Sequence, residues 1–184
     1  MNIHSRRLLL TAGAAITALS APTAARAQML EPIRVTESRV KAEKLDSQAL
    51  SYEVNDWLQL KKAARLREEA AELRAAEDPN GVVSLYWAAR DSYYGGDPRA
   101  ARVLMERTAD RAIAIGDVLN AATAYTEAAY ISADLNDAEH VRAFAAKARL
   151  LSNSPMLTED QRDALRTRLA SSAAPIGVVA VVKR

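Results

Sequence analysis

The sequence predicts an all-α fold of stacked antiparallel helical hairpins, with extended segments at its N- and C-terminal ends. Apolar residues recur at spacings of three and four over long stretches, as they do on one face of a helix. Glycine, proline, asparagine and aspartate interrupt these stretches at short intervals. A shift of 40 residues also places one interrupted stretch on the next, and internal repeats of about this length are typical of stacked helical hairpins.

The first segment, residues 1–27, is predicted to be a cleavable export signal. Arg6 and Arg7 precede an apolar run that is too short and too mildly hydrophobic to span a bilayer stably. The small residues Ala25 and Ala27 suit a signal peptidase, so we expect cleavage before Gln28. The arginine pair resembles a twin-arginine signal, and the general secretory route and an uncleaved anchor are the alternatives. The expected location is therefore periplasmic or secreted.

Composition narrows the classes of function that the exported chain could have. Removal of 27 residues from 184 leaves 157, enough for one domain with a substantial core. The signal carries three arginines and no acid, so its loss changes the formal net charge from +2 to −1. A near-neutral domain gives no electrostatic reason to expect a nucleic-acid partner. The absence of cysteine excludes disulfides, thiolate metal sites and cysteine nucleophiles.

The segments that flank the helical pattern have a different character. Residues 28–53 are predicted to be a linker or extended arm, in which the alternating Ile33 and Val35 could form a strand. The helical repeat domain is assigned to residues 54–172. The apolar, β-branched tail over residues 173–184 is too short to cross a membrane. It could pair as a strand or lie on the helices, and we predict no stable membrane span after signal cleavage.

Within the helical domain, two hairpins are predicted at about residues 82–116 and 122–155. Gly96 suits the left-handed geometry of a helix end, and Asp97 can cap the helix that follows. The corner recurs at Asn136, one repeat later. A phosphate-binding loop is the rival interpretation, but it requires further glycines, a following lysine and a preceding strand, which are not present. Flanking helices are predicted over residues 56–77 and 159–171.

These repeats resemble the tetratricopeptide repeat family, whose motif is a large residue, a small pair, a corner and further small residues. The resemblance covers residues 82–152, with a period of 40 instead of the family's 34. Ser92 and Ser132 stand where an aromatic residue is usual, so another helical solenoid or bundle is the alternative. The matching positions are Leu85, Ala88, Ala89, Gly96, Asp97 and Ala101 in one copy, and Tyr125, Ala128, Ala129, Asn136, Asp137 and Val141 in the other.

The resemblance implies a concave groove that is lined by the first helix of each hairpin. Tyrosine and arginine are frequent anchors of interfaces, although the same tyrosines could instead pack in the core. Trp87 is predicted to lie in the core. The candidate partner-binding residues on the groove face are Tyr86, Arg90, Tyr93, Thr126 and Tyr130.

No set of residues predicts catalysis, a metal site or a cofactor. His140 is the sole histidine after removal of the signal, and no histidine is placed to activate a serine. We therefore expect a non-catalytic, extracytoplasmic protein–protein interaction module or scaffold, with a protein or peptide partner in the cell envelope. The alternative is a periplasmic protein that binds a small molecule or an envelope polymer in a tyrosine-lined groove. An open groove would favour the first, and a closed pocket the second.

Overall fold

The computed structural model of the chain describes residues 22–173, and within that range it contains seven α-helices and no strand. This confirms the predicted all-α class. None of these helices is long and apolar enough to cross a bilayer. A short 3₁₀ helix, Trp57–Gln59, joins the first two. The α-helices are α1 (Pro22–Asn55), α2 (Leu60–Leu73), α3 (Pro79–Tyr94), α4 (Pro98–Ala114), α5 (Val118–Asp134), α6 (Ala138–Ser152) and α7 (Glu159–Ala173).

The chain divides into two compact units, Met1–Thr36 and Glu37–Arg184. The described part of the first unit is the beginning of α1, from Pro22 onward. The predicted export signal, residues 1–27, lies outside the described residues except for its last six, and the apolar tail lies outside them from residue 174 onward.

The second unit is a stack of antiparallel helices. Each helix from α2 to α6 packs against the one that follows it, and α7 packs against both α5 and α6. Alanine pairs at the contacts, Ala88–Ala89 on α3 and Ala128–Ala129 on α5, are fully buried and allow the neighbouring helices to approach closely. Larger side chains such as Leu85, Tyr125 and Phe144 fill the rest of the core. The predicted hairpins α3–α4 and α5–α6 are therefore confirmed.

Three corners of the same design connect the helices from α3 to α6. Gly96, Gly116 and Asn136 follow one another at intervals of 20 residues, with φ values of 82°, 77° and 56°. The next residue in each case is an aspartate whose carboxylate accepts a hydrogen bond from the backbone three residues later. The same aspartate's N–H donates back to the helix that ends there, at 2.8–2.9 Å. The 40-residue repeat thus contains two similar halves of 20 residues.

The prediction of a linker or extended arm over residues 28–53 was wrong, because this stretch lies within α1. The proposed strand around Ile33 and Val35 is also helical. Few side chains of α1 are buried, which explains the weak apolar pattern: Ala42, Leu45 and Ala49 are the buried apolar residues in its Glu37–Asn55 part. This part is held to the stack mainly by charged side chains.

Candidate functional site

The layer formed by α3, α5 and α7 carries a cavity of about 290 Å³, here called the inner cavity. The helices α3 and α5 both pack against α4, so they flank a gap whose floor is the buried Met105 of α4. The helix α7 packs on α5 and contributes to the same gap. The other lining residues are Arg90, Tyr93, Tyr94, Glu127, Tyr130, Ile131, Asp134 and Arg168.

Arg90 is held in the inner cavity by aromatic rings. Its guanidinium carbon lies 4.9 Å from the centroid of Trp87 and 5.7 Å from that of Tyr94, both within the range of a cation–π interaction. It also hydrogen-bonds with the side chain of Tyr94. No carboxylate forms an ion pair with it in the described part of the chain. Arg90 is therefore a positioned cation without a carboxylate partner.

Tyr93 connects the two long walls of the inner cavity. Its hydroxyl donates a hydrogen bond from α3 to the carboxylate of Asp134 on α5. This hydrogen bond, together with burial, raises the pKa of Tyr93 to about 12. Its ring packs edge-on against Tyr94, with 5.4 Å between centroids. The phenol is therefore a fixed neutral donor, and its aromatic edge lies beside Arg90.

The third wall is fixed to the second by two polar contacts. Arg168 of α7 forms an ion pair with Glu127 of α5. The Tyr130 hydroxyl donates to the backbone carbonyl of Arg168 at 3.3 Å. Tyr86 lies beside this pair, and burial followed by the charge of Glu127 raises its pKa. The cations and carboxylates of this wall are thus already matched to each other.

Four of the five predicted binding residues lie in or beside the inner cavity. Arg90, Tyr93 and Tyr130 line it, while Tyr86 packs against the core next to it. Thr126 does not contribute: it is fully buried, and its hydroxyl donates to the carbonyl of Ala122 at 2.8 Å. It shares a face of α5 with Ala122 and Ala129, which points into the helical stack.

Trp87 is not a core residue, contrary to the prediction. It remains 37% exposed, and arginines approach its ring from two helices, Arg67 of α2 and Arg90 of α3. An indole ring that holds arginines need not be fully desolvated. The aromatic surface beside the inner cavity is therefore larger than the predicted tyrosines alone would make it.

The sequence reasoning missed the contribution of α7 and the acidic residue of the cavity. Arg168 belongs to a helix that was treated as a flank of the repeats. The buried Leu165 and Leu169 gave a usable signal, because a helix with an apolar face must pack on the stack and bring its neighbouring side chains with it. Asp134 precedes the corner at Asn136 and was seen only as part of the turn.

The inner cavity combines a free guanidinium, aromatic surfaces and oriented hydroxyl groups, a set suited to holding a ligand with polar and apolar parts. Among residues 22–173, no three His, Asp or Glu side chains come together in a way that could hold a metal ion. The chain matches no protein-family model, no curated protein and no solved structure at a significant level.

Proposed function

We propose that this chain is a non-catalytic, exported module that binds a protein or peptide of the cell envelope in its inner cavity. The observation that carries the proposal is the convergence of Arg90, Tyr93 and Tyr130 on one cavity. Export is supported by the arginine pair, the apolar run and the small residues that precede Gln28.

Similarity to the tetratricopeptide repeat family supports the same proposal. The inner cavity lies between α3 and α5, the first helices of the two hairpins, and this is the face that the resemblance assigns to the partner. The three matching corners and the buried alanine pairs also agree with the family's pattern. The period of 40 residues departs from it, so we propose a relationship of architecture and mode of binding.

Arg90 is the proposed anchor of the partner. A guanidinium stacked between aromatic rings has lost much of its side-chain freedom before binding, which lowers the entropic cost of the contact. Arginine can donate two parallel hydrogen bonds to a carboxylate or two bonds to backbone carbonyls. A peptide segment with an acidic or carbonyl-rich face and one apolar side chain fits these groups and the floor at Met105.

The test is crosslinking capture from the envelope fraction of the native host, quantified for wild type, Arg90→Ala and Arg142→Ala. Arg142 is an exposed arginine of α6 that lines neither of the cavities described, so it controls for loss of charge. We expect one set of proteins to be captured by wild type and by Arg142→Ala but lost with Arg90→Ala. Equal capture by all three proteins would contradict the proposal.

A small ligand is the second candidate, because the volume of about 290 Å³ is near the lower end of the range for small-molecule sites. Native mass spectrometry of the protein from its host distinguishes the two. A bound small molecule that is present in wild type and Arg142→Ala but absent from Arg90→Ala would favour this second candidate over a peptide partner.

A further inference from the structure

The layer formed by α2 and α4 carries a second cavity, of about 460 Å³, here called the outer groove. The two helices run parallel because each packs antiparallel against α3, and the gap between them has Ser92 of α3 at its floor. Its apolar surface comes from Ala64, Val103 and Leu104. Val103 is 52% exposed, so an apolar strip of this groove remains open to solvent.

Charge is distributed unevenly around the outer groove. Two carboxylates line it, and both already have partners: Glu68 forms an ion pair with Arg107, and Asp97 accepts a hydrogen bond from the N–H of Ala100 at 3.1 Å. The remaining cations, Lys61, Arg65 and Arg99, form no ion pair with any described residue.

This lack of partners is unusual for the stack. Other arginines between its helices are matched: Arg102 lies 2.7 Å from Asp137, and Arg168 pairs with Glu127. Lys61 and Arg65 lie one turn apart on α2, where like charges repel. The stem of Lys61 also packs against the corner, since a Cβ added to Gly95 would lie 3.1 Å from its Cγ. The positive charge is therefore held at the groove instead of moving freely in solvent.

We propose that the outer groove binds one molecule of an amphiphilic organic anion. Its phosphate or carboxylate group contacts Lys61, Arg65 and Arg99, and its apolar chain lies along Val103 and Leu104. The volume falls within the range of small-molecule sites. A bare inorganic anion would satisfy the cations but leave the apolar strip exposed to water, whereas an amphiphile covers both. This ligand is distinct from the partner proposed for the inner cavity.

The experiment is titration calorimetry of the chain, purified from its native host, with decyl phosphate below its micelle concentration. The groove variant is Lys61→Gln/Arg65→Gln/Arg99→Gln. The matched control is Lys44→Gln/Arg142→Gln/Arg149→Gln, which removes the same charges from exposed positions outside both cavities.

We expect saturable binding of one decyl phosphate to wild type and to the control, and affinity at least about tenfold weaker in the groove variant. Affinity should also fall as salt is added, because the groups are near the surface. Val103→Ser, at an exposed position that should not affect folding, should weaken the binding of decyl phosphate. It should leave the weak binding of inorganic phosphate unchanged.

Three results would overturn the proposal. Equal losses in the groove variant and the control would show that only net charge matters. Binding of inorganic phosphate as tight as that of decyl phosphate would remove the role of the apolar strip. Binding to vesicles of phosphatidylglycerol and phosphatidylcholine, without binding of monomeric decyl phosphate, would indicate a membrane-surface contact in place of a groove that takes single molecules.

Discussion

At the scale of single residues, Asp91 of α3 is the most perturbed acid in the described part of the chain. It is 4% exposed and lies beside Arg67 of α2 and Glu53 of α1. The Nε–H of Arg67 donates to Glu53 at 2.7 Å, so Asp91 Oδ2 receives no hydrogen bond although it lies 3.2 Å from the same nitrogen. Burial, followed by the charge of Glu53, raises the pKa of Asp91 to about 7 despite the attraction of Arg67.

This shift predicts a pH dependence of stability. The pKa of Asp91 is raised above its ordinary value of 3.8, so the folded state holds a proton that the unfolded state releases. The free energy of unfolding should therefore fall as the pH rises from about 4 to about 7, by on the order of 2 kcal/mol. Asp91→Asn keeps a neutral side chain and should remove most of this slope, as measured by urea unfolding at several pH values.

The control for this prediction is Asp160→Asn, an exposed acid at the start of α7. It should show the same pH slope as wild type. A slope in Asp91→Asn that equals the slope of wild type would show that Asp91 ionises as an ordinary surface carboxylate.

At the scale of helices, Arg111 of α4 fixes the C-terminal end of α2. Its Nη1 donates to the carbonyl of Ala71 at 2.8 Å, and Nη2 donates to those of Arg74 and Ala75. A cation at this end satisfies free carbonyl groups and complements the helix dipole. The contact requires glycine at position 81, because a Cβ there would lie 2.2 Å from the guanidinium carbon.

Gly81→Ala should therefore displace Arg111 and destabilise the fold by about 1–3 kcal/mol. In an Arg111→Ala background the same substitution should be close to neutral, because the obstacle has been removed and alanine is the better helix former. A double-mutant cycle of unfolding free energies measures the coupling. Additive effects of the two substitutions would mean that the close approach of Gly81 to Arg111 has no energetic consequence.

At the scale of the whole molecule, export with cleavage before Gln28 remains a prediction. N-terminal sequencing of the protein purified from its native host should give Gln28 as the first residue. Replacement of Arg6 and Arg7 by lysine should block export if the twin-arginine route is used, and should have little effect on the general secretory route. A protein that starts at Met1 in the cytoplasm would contradict the prediction.

The corners of the stack were predictable from local sequence because their chemistry is local. Gly96 supplies the positive φ and Asp97 caps the next helix, so two adjacent residues are enough to identify the turn. The helical state of residues 28–53 was not predictable in the same way. The ion pair between Asp46 of α1 and Arg74 of α2, at 2.6 Å, joins residues 28 positions apart, and no local pattern reveals such a pair.

The candidate site was predictable in part for the same reason. Helical spacing and the expected role of α3 placed Arg90 and Tyr93 on one face, and the inner cavity contains both. The spacing could not show that Thr126 turns toward Ala122, because the position of a face relative to the stack depends on how the neighbouring helices pack. Arg168 was missed because its contribution depends on the docking of α7.

The central claim is that the inner cavity binds a partner, and Tyr130→Ala tests it most directly. Tyr130 lines the cavity and is only partly buried, so its loss should change the melting temperature little. The measurement is the affinity, per folded molecule, for the envelope protein captured by wild type. We predict that Tyr130→Ala weakens it by about 2 kcal/mol, roughly 30-fold. Unchanged affinity per folded molecule, together with a large fall in melting temperature, would show instead that Tyr130 is a structural residue of the helical stack.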